Sequence, residues 1–461
     1  MMFQEDTIAA IATAPGEAGV GIVRLSGHKS IEILNMIFKA KKNIKAIDIP
    51  SRMATYGHII DNGGNVVDEV LVIIMREPYS YTTEDVVEIH CHGGIIPVRR
   101  IMELVLKNGA LMAEPGEFTK RAFLNGRIDL AQAEAVIDVI TSKTEKGLNA
   151  ALDQLDGDLS QEIHRIMDEL VLILAHIEAS IDFPEHDIEE ITQDNILKTS
   201  ENVIRAVKKL INSFEEGKII RDGLSTAIVG RPNVGKSSLL NILIKENRAI
   251  VTDIPGTTRD IIEEYLNIGG ILVKLVDTAG IRETEDVIEK IGVERTKSAI
   301  DEAELVIFTI DASSPLQEED HEIMNLIKEK KIIVAANKID KGLAVDLDYL
   351  TDKFKEGNIV EMSVKDRIGI DKLEMIIKHF VYQGQASVSK NKMVTNIRHK
   401  DLLDKAFESI EKAINSLEEG IPVDLLSVDI KEAWERLGQI TGDVVEEDII
   451  KEIFSKFCIG K

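Results

Sequence analysis

The 461-residue chain carries a formal net charge of −25, and hydrophobic residues make up 44% of it. Strong negative charge repels nucleic-acid phosphates, so it excludes broad non-specific binding to nucleic acid; an RNA partner would need a local basic patch or a second protein. The apolar content excludes a disordered chain. Two distant cysteines, Cys91 and Cys458, exclude a disulfide framework and indicate a reducing compartment.

The N-terminus is acidic and lacks the charge pattern of a signal peptide. The longest apolar stretches, such as residues 170–175, are too short to span a bilayer. We therefore expect a cytoplasmic protein that does not use a membrane. At about 150 residues per domain, the length predicts three domains.

Residues 1–118 mix strand-like and helix-like patterns, which predicts an α/β domain. The clearest helix covers residues 96–106, and the Asp-Asn-Gly-Gly turn at residues 61–64 separates elements. His90 and His92 share one face of a strand, but the sequence nearby offers no third or fourth ligand. We interpret them as structural or substrate-lining rather than metal-binding. The strand-like runs are residues 8–13, 21–25, 70–75 and 86–90.

Helical patterns cover residues 119–222 and 383–461, on both sides of a segment at 223–382. Apolar residues recur at helical spacing in residues 131–140 and 159–177. We infer that the segment at 223–382 is inserted into one helical domain.

The inserted segment begins with a phosphate-binding loop. An apolar run at 224–229 precedes Gly-Arg-Pro-Asn-Val-Gly-Lys-Ser at 230–237, a G-x-x-x-x-G-K-S pattern that opens a helix. Backbone N–H groups in such a loop close around phosphates. Lys236 is expected to reach the β- and γ-phosphates, and the Ser237 hydroxyl to bind Mg²⁺.

Two further loops complete a magnesium–nucleotide site. A strand-like run at 271–276 ends in Asp277-Thr278-Ala279-Gly280, where the carboxylate can hold a Mg²⁺-bound water and the glycine N–H can sense the γ-phosphate. Residues 252–260 resemble a switch loop, in which Thr258 is expected to complete the Mg²⁺ shell.

The base-recognition loop is Asn337-Lys338-Ile339-Asp340, after a strand-like run at 332–336. Asp340 can accept hydrogen bonds from N1–H and the 2-amino group of guanine, which adenine does not offer, and such pairing discriminates by about 10⁴. We therefore predict GTP as the ligand, with 363–365 as a last base-contacting loop. The residues expected to bind GTP are Asn233, Val234, Gly235, Lys236, Ser237, Ser238, Thr252, Asp253, Ile254, Pro255, Gly256, Thr257, Thr258, Asp277, Thr278, Ala279, Gly280, Asn337, Lys338 and Asp340.

The residue that would position the attacking water is not evident. Ras-like GTPases carry a glutamine directly after the D-x-x-G motif, but Ile281 stands here. Carboxylates follow at Glu283, Glu285, Asp286 and Glu289, and their spacing does not choose among them.

The sequence resembles the MnmE (TrmE) family of tRNA-modification GTPases over essentially its full length. The matching stretches are residues 7–16, 21–27, 88–94, 115–126, 129–135 and the terminal Phe-Cys-Ile-Gly-Lys at 457–461. The resemblance implies a multidomain fold: an N-terminal α/β tetrahydrofolate-binding-like and dimerisation domain, an α-helical domain, and an inserted Ras-like P-loop α/β GTPase domain. The boundaries we expect are 1–118, 119–222, 223–382 and 383–461.

The resemblance also implies an activity. Family members hydrolyse GTP and, with the FAD-dependent protein MnmG, modify C5 of the wobble uridine of certain tRNAs to aminomethyl or carboxymethylaminomethyl derivatives. The one-carbon unit is expected from 5-formyl-tetrahydrofolate or another tetrahydrofolate derivative. The expected assembly is a homodimer that joins MnmG in a heterotetramer.

The resemblance further assigns roles to residues of this chain. Glu289 matches the family's water-orienting glutamate, and Cys458 has either a role in the modification or a role in shaping the folate pocket. The residues implied to line that pocket are Arg24, Glu88, Arg127 and Lys461. The residues implied to hold a K⁺ ion, which stands where an arginine finger would act, are Asn233, Thr252, Ile254 and Thr257.

Two other functions fit the GTPase motifs. A regulatory GTPase of ribosome assembly usually carries a basic RNA-binding module, and the acidic balance opposes this. A dynamin-like membrane GTPase needs a basic amphipathic or apolar tip, and none stands out in the sequence.

Overall fold

The structure is a computed structural model. It divides into two compact units, one made of Met1–Ile140, Gln154–Ser200 and Glu408–Lys461, the other of Thr141–Asp153 and Glu201–Phe407. The residues that it describes are 6–42, 44–182, 189–247, 264–276, 297–354, 356–382 and 393–460.

The strands and helices are numbered in chain order. The strands are β1 Ile8–Ile11, β2 Ala18–Ser26, β3 Phe38–Ala40, β4 Thr55–Ile60, β5 Val66–Met75, β6 Val86–Gly93, β7 Leu111–Met112, β8 Leu224–Val229, β9 Glu264–Ile268, β10 Ile271–Leu275, β11 Leu305–Asp311, β12 Lys331–Asn337 and β13 Ile359–Glu361. The α-helices are α1 Ser30–Ile37, α2 Ile95–Lys107, α3 Glu117–Leu124, α4 Leu130–Thr141, α5 Glu145–Leu155, α6 Asp158–Asp182, α7 Glu189–Asp222, α8 Lys236–Asn247, α9 Glu318–Ile327, α10 Leu347–Phe354, α11 Ile370–Tyr382, α12 Ile397–Glu418, α13 Val423–Thr441 and α14 Glu447–Ser455. Short 3₁₀ helices cover Ala46–Asp48, Ile339–Lys341 and Glu356–Asn358.

The first unit contains a sheet with the strand order β3-β4-β5-β6-β2-β1-β7. Its strands pair antiparallel except for β1 with β7. Successive side chains of a strand point to opposite faces. Val23 and Leu25 of β2 are therefore buried in the core with residues of α1 and α2, while Arg24 points to the opposite face. Arg24 and Glu88 are directly opposed across β2 and β6.

Helices form the rest of the first unit. α6 packs along α13, and His164 of α6 lies 3.0 Å from Asp443, which follows α13. α4 begins at a reciprocal cap: Gln132 N donates to the Asp129 carboxylate at 2.8 Å, and Asp129 N donates to the Gln132 side chain at 3.0 Å. Phe454 and Phe457, near the C-terminus, are buried against α3 and α4 residues, which include Ala122.

The second unit contains a sheet with the order β13-β12-β11-β8-β10-β9. All of its strand pairs are parallel except β9 with β10. Its faces are covered by two apolar clusters, so the central strands are nearly continuous runs of buried residues. The carboxyl ends of β8, β11 and β12 meet at one edge, where open α/β sheets bind their ligands.

The α/β, helical and Ras-like α/β parts of the expected fold are confirmed. The strand-like runs at 224–229, 271–276 and 332–336 are β8, β10 and β12, and the helix expected at 159–177 is the longer α6. The sequence did not predict β4, because Gly57 and His58 break the apolar pattern of this strand. It also did not predict β9, an edge strand with few buried side chains. The proposed division at residues 119, 223 and 383 stays a prediction.

None of the helices in the described ranges combines the length and the apolar character that crossing a bilayer requires.

Candidate functional site

The phosphate loop connects β8 to α8, and its backbone conformation depends on two glycines. Gly230 and Gly235 have φ values of +154° and +106°. A Cβ on Gly230 would lie 2.1 Å from the Thr309 carbonyl oxygen, and a Cβ on Gly235 would lie 2.3 Å from the Asn337 amide nitrogen. Neither position therefore accepts a side chain, and the backbone approaches its neighbours closely enough to shape a phosphate cradle.

Lys236 is the first residue of α8, and its ammonium group lies over the loop. It donates to the carbonyl oxygens of Gly230 at 2.7 Å and Arg231 at 2.8 Å. Burial lowers the pKa of Lys236. A partly desolvated ammonium group with fixed geometry can bind phosphate oxygens, and this role of Lys236 stays a prediction.

Asn337 joins the phosphate loop to the base-recognition loops. Its side chain is almost fully buried, its amide nitrogen donates to the Val234 carbonyl at 2.8 Å, and its amide oxygen accepts from the Val364 N–H at 3.0 Å. The sequence placed Asn337 among the GTP contacts. In the structure its side-chain amide is hydrogen-bonded to two protein loops. Asn337 therefore sets the distance between the phosphate and base subsites.

Lys338 makes a second connection to the phosphate loop. Its ammonium group donates to the Asn233 carbonyl at 2.6 Å and to the Asp311 carboxylate at 2.7 Å. Burial opposes the ionisation of Asp311, but the hydrogen bonds from Lys338 and Ser313 outweigh it and lower the pKa of Asp311. Asn233 has a left-handed backbone with φ of 62°, which Asn adopts more readily than most residues. Lys338 therefore fixes the backbone that directs the Asn233 side chain.

Asp340 is exposed on the 3₁₀ helix after β12, and Ser363 orients it. The Ser363 hydroxyl is fully buried and donates to Asp340 Oδ1 at 2.9 Å. A carboxylate fixed in this way can accept both N–H groups of the guanine edge, and this role of Asp340 stays a prediction. The role of Ser363 was expected only as part of a base-contacting loop.

Several predicted site residues lie outside the described part of the chain. They are residues 252–258, residues 277–280, Glu289 and Lys461. Of the two predicted Mg²⁺ ligands, Ser237 is described, in the first turn of α8, and Thr258 is not.

A second polar site lies on the face of the first sheet that carries Arg24. Arg24 donates to Glu88 Oε1 at 2.9 Å through Nε and lies 2.8 Å from it through Nη2. His90 Nε2 lies 3.2 Å from the other oxygen, Glu88 Oε2. The carboxylate is therefore held between a guanidinium group and an imidazole, which agrees with a structural or substrate-lining His90. Within the described ranges, no cluster of three or more His, Cys, Asp or Glu side chains could hold a metal ion.

Tyr81 connects Arg24 with Arg127. The guanidinium carbon of Arg127 lies 4.4 Å from the centre of the Tyr81 ring, and that of Arg24 lies 5.7 Å from it. The Tyr81 hydroxyl is 2.9 Å from the Thr119 hydroxyl. Cation–π contact thus gathers two distant arginines on one ring. The sequence reasoning missed Tyr81, because an aromatic residue in a loop carries no motif.

The C-terminal tail reaches the same site. Arg24 Nη1 donates to the Gly460 carbonyl at 3.2 Å, and a Cβ on Gly460 would lie 2.5 Å from the Ile11 carbonyl oxygen. Cys458 is exposed, and its carbonyl accepts from the Gly116 N–H at 3.3 Å. The structure therefore brings Arg24, Glu88 and Arg127 together near the tail that ends in Lys461.

A buried ionic network supports the loop that carries Tyr81. Arg121 is 5% exposed, lies 2.8 Å from Glu117 and 3.2 Å from Glu84, and donates to the Asp6 carbonyl. Glu84 also accepts from the Ser26 hydroxyl at 2.7 Å. Because the network joins β2, this loop and α3, it fixes Tyr81 relative to Arg24.

The second unit is therefore a P-loop nucleotide-binding domain of the GTPase class. It has a phosphate loop at the end of β8 and a guanine-type loop at the end of β12, on a mainly parallel sheet. The first unit adds a separate site formed by two arginines, a carboxylate and an aromatic ring.

Comparison with known proteins identifies the family. Residues 7–127 match the model described as GTP-binding protein TrmE N-terminus, and residues 130–458 match the MnmE helical domain. The chain is 54% identical to the tRNA modification GTPase MnmE of Alkaliphilus oremlandii over 461 residues, 100% of both chains. It is 50% identical to that of Clostridioides difficile over 460 residues, also 100% of both. The chain belongs to the MnmE family of tRNA modification GTPases, which confirms the resemblance and the expected enzyme class.

Replacing Asn337 by Ala should uncouple the two loops that it joins. The Val364 N–H and the Val234 carbonyl would lose their buried partner, which costs about 1–3 kcal/mol. We expect faster amide exchange in the peptide containing Val364 and weaker binding of a fluorescent GDP analogue. Hydrogen–deuterium exchange mass spectrometry and fluorescence titration measure both.

The control is Asn247→Ala, which removes a partly buried amide bonded to Glu374 at the other end of α8. Unchanged exchange at Val364 in Asn337→Ala would contradict the role assigned to Asn337.

Proposed function

We propose that this GTPase acts with the FAD-dependent protein MnmG to modify C5 of the wobble uridine of certain tRNAs to aminomethyl or carboxymethylaminomethyl derivatives. The one-carbon unit would come from 5-formyl-tetrahydrofolate or another tetrahydrofolate derivative. The main support for this proposal is the second site around Tyr81. A GTPase that acted only as a switch would not need such a site. The proposal is also supported by the 54% and 50% sequence identity, over the full length, to tRNA modification GTPases.

In the GTPase domain, Lys236 binds the β- and γ-phosphates and Asp340 binds the guanine edge. Ser237 and Thr258 would hold Mg²⁺, which neutralises phosphate charge when bound. Glu289 would orient the attacking water. The roles of Ser237, Thr258 and Glu289 follow from the motif order of the sequence and from the family resemblance.

The K⁺ proposal fits the geometry of Asn233. Its left-handed backbone is fixed by Lys338, and its side chain is exposed, so its amide oxygen is available as a hard ligand. Thr252, Ile254 and Thr257 would complete the set. A cation there supplies the positive charge that an arginine finger supplies elsewhere.

The donor set of the second site fits a tetrahydrofolate. The guanidinium groups of Arg24 and Arg127, with the amine of Lys461, suit its carboxylates and carbonyl groups. Glu88 is an acceptor for the amino edge of a pterin. The bound folate supplies the one-carbon unit, and Tyr81 keeps the two arginines close together. Cys458 either takes part in the modification or shapes this pocket.

We also propose that the chain works in the cytoplasm as a homodimer and forms a heterotetramer with MnmG. Because the chain itself is strongly acidic, tRNA would be held largely by the partner or by a local patch.

The function is tested by nucleoside mass spectrometry of tRNA from a strain that lacks this gene. We expect loss of the aminomethyl-type wobble uridines, restored by the wild-type gene and not by a variant truncated before Lys461. An unchanged nucleoside profile would reject the modification function and leave the GTPase activity in place.

Hydrolysis should depend on Glu289 and on K⁺. Glu289→Ala is expected to keep GTP binding and lose most turnover, about 10²-fold, because the water is no longer oriented. The matched control, Glu283→Ala, removes the same charge from the same segment and should remain active. Phosphate-release assays in K⁺ and in Na⁺ measure both effects, and equal rates in the two salts would reject the K⁺ site.

The folate pocket should depend on Arg24. Arg24→Leu is expected to weaken 5-formyl-tetrahydrofolate binding about tenfold or more, because a charge-assisted hydrogen bond is lost. Tyr81→Leu should also weaken it, since both arginines lose their common ring. Isothermal titration calorimetry measures the affinity.

The control is Arg99→Leu, which changes an exposed arginine of α2 that pairs only weakly with Glu103. Wild-type affinity in Arg24→Leu would remove this residue from the pocket.

A further inference from the structure

Arg231 follows the first glycine of the phosphate loop, yet its guanidinium group is bonded to protein. Its Nη2 donates to the Ser314 hydroxyl at 2.9 Å, and its Nε lies 3.2 Å from Asp320 Oδ2. Its side chain is 14% exposed. Arginines near nucleotides commonly bind phosphate oxygens through their planar donor set. Here Nη2 donates to a hydroxyl, and the guanidinium group forms an ion pair with a buried carboxylate.

The Asp320 side chain is buried and is held in place by a hydrogen bond at the start of a helix. It lies in the first turn of α9, and its Oδ2 accepts the Gln317 N–H at 3.0 Å in a capping box. Its side chain is 2% exposed. The same helix buries Met324 and Ile327 in the core with residues of β11, so the helix that carries Asp320 is anchored to the core.

The main chain of Arg231 in turn holds Lys236. The carbonyl oxygens of Arg231 and the preceding Gly230 are the two acceptors of the Lys236 ammonium group. A connected path therefore runs from the capped end of α9, through Asp320 and Arg231, to the lysine that reaches the phosphates. Because both members of the ion pair are largely buried, removing either charge leaves the other uncompensated.

We infer that Arg231 and Asp320 are positioning residues for nucleotide binding: together they anchor the start of the phosphate loop and thereby place Lys236. Arg231 is accordingly neither a phosphate ligand nor an arginine finger. This inference deepens the GTPase activity and does not depend on the tRNA, folate or K⁺ proposals.

The test is a double-mutant cycle in the full-length chain. The variants are Asp320→Asn, which keeps an acceptor for the Gln317 N–H, Arg231→Met, and the double variant. Glu319→Gln is the matched control, because it removes the same charge from the same turn at an exposed position. The measured quantities are the affinity for mant-GDP and the kcat and KM for GTP.

We expect each single variant to raise Kd and KM about tenfold with kcat changed less than about threefold, because the loop is misplaced in both the ground and the transition state. The affinity of the double variant should lie within about twofold of that of the weaker-binding single variant, because either single change already breaks the ion pair that couples the two residues. Glu319→Gln should match the wild type.

Three results would overturn the inference. The first is wild-type affinity in both single variants. The second is losses that multiply in the double variant, which would mean that the residues act independently. The third is an Arg231→Met variant with reduced kcat at unchanged Kd and KM, which would make Arg231 a transition-state ligand. Should Asp320→Asn fail to fold, Arg231→Met alone still decides between the first and third results.

Discussion

The nucleotide site depends on one constraint: the phosphate loop must be held in a single backbone conformation in which three residues have positive φ. Gly230, Asn233 and Gly235 all have positive φ. The loop is held from outside by contacts at its carbonyl oxygens, from Asn337 to Val234 and from Lys338 to Asn233. Since these two residues also begin the base-recognition loop, the phosphate and base subsites form one connected structure.

This connection also depends on two side chains beside the loops, Asp311 and Ser363. Asp311 holds the Lys338 ammonium group in place, Ser363 orients Asp340, and neither needs to touch the nucleotide itself. Buried polar side chains that are fully bonded make a unique geometry more stable than its alternatives. Asn233, the residue proposed to bind the cation, lies on the loop that Lys338 fixes.

The side chains of the second site are also held in place by contacts with other protein groups, here an aromatic ring and a carboxylate. Arg24 and Arg127 are far apart in sequence, and like charges repel, so bringing them together has a cost. The Tyr81 ring and the Glu88 carboxylate offset it. The result is a pair of guanidinium groups held on one aromatic ring in a chain of net charge −25, and guanidinium donors suit an anionic ligand.

Local patterns made the nucleotide site predictable. An apolar strand, a glycine-rich loop and a helix start are contiguous in sequence, so the phosphate loop and the Asn-Lys-x-Asp loop were recognised at once. The contacts that fix them were not, because Asn337 and Val234 are 103 residues apart and Arg24 and Gly460 are 436 apart. Arg24, Glu88 and Arg127 came from the family resemblance, and only the structure showed that Tyr81 joins the two arginines.

The central claim, that Asp340 reads guanine in a site held by the phosphate-loop contacts, is tested most directly by Asp340→Asn. Affinities of the wild type and this variant for mant-GDP and mant-XDP would be measured side by side. The account predicts a loss of GDP affinity of about 10² or more and a gain for XDP, because an amide can donate to the 2-oxo group of xanthine. An unchanged preference for GDP would contradict it.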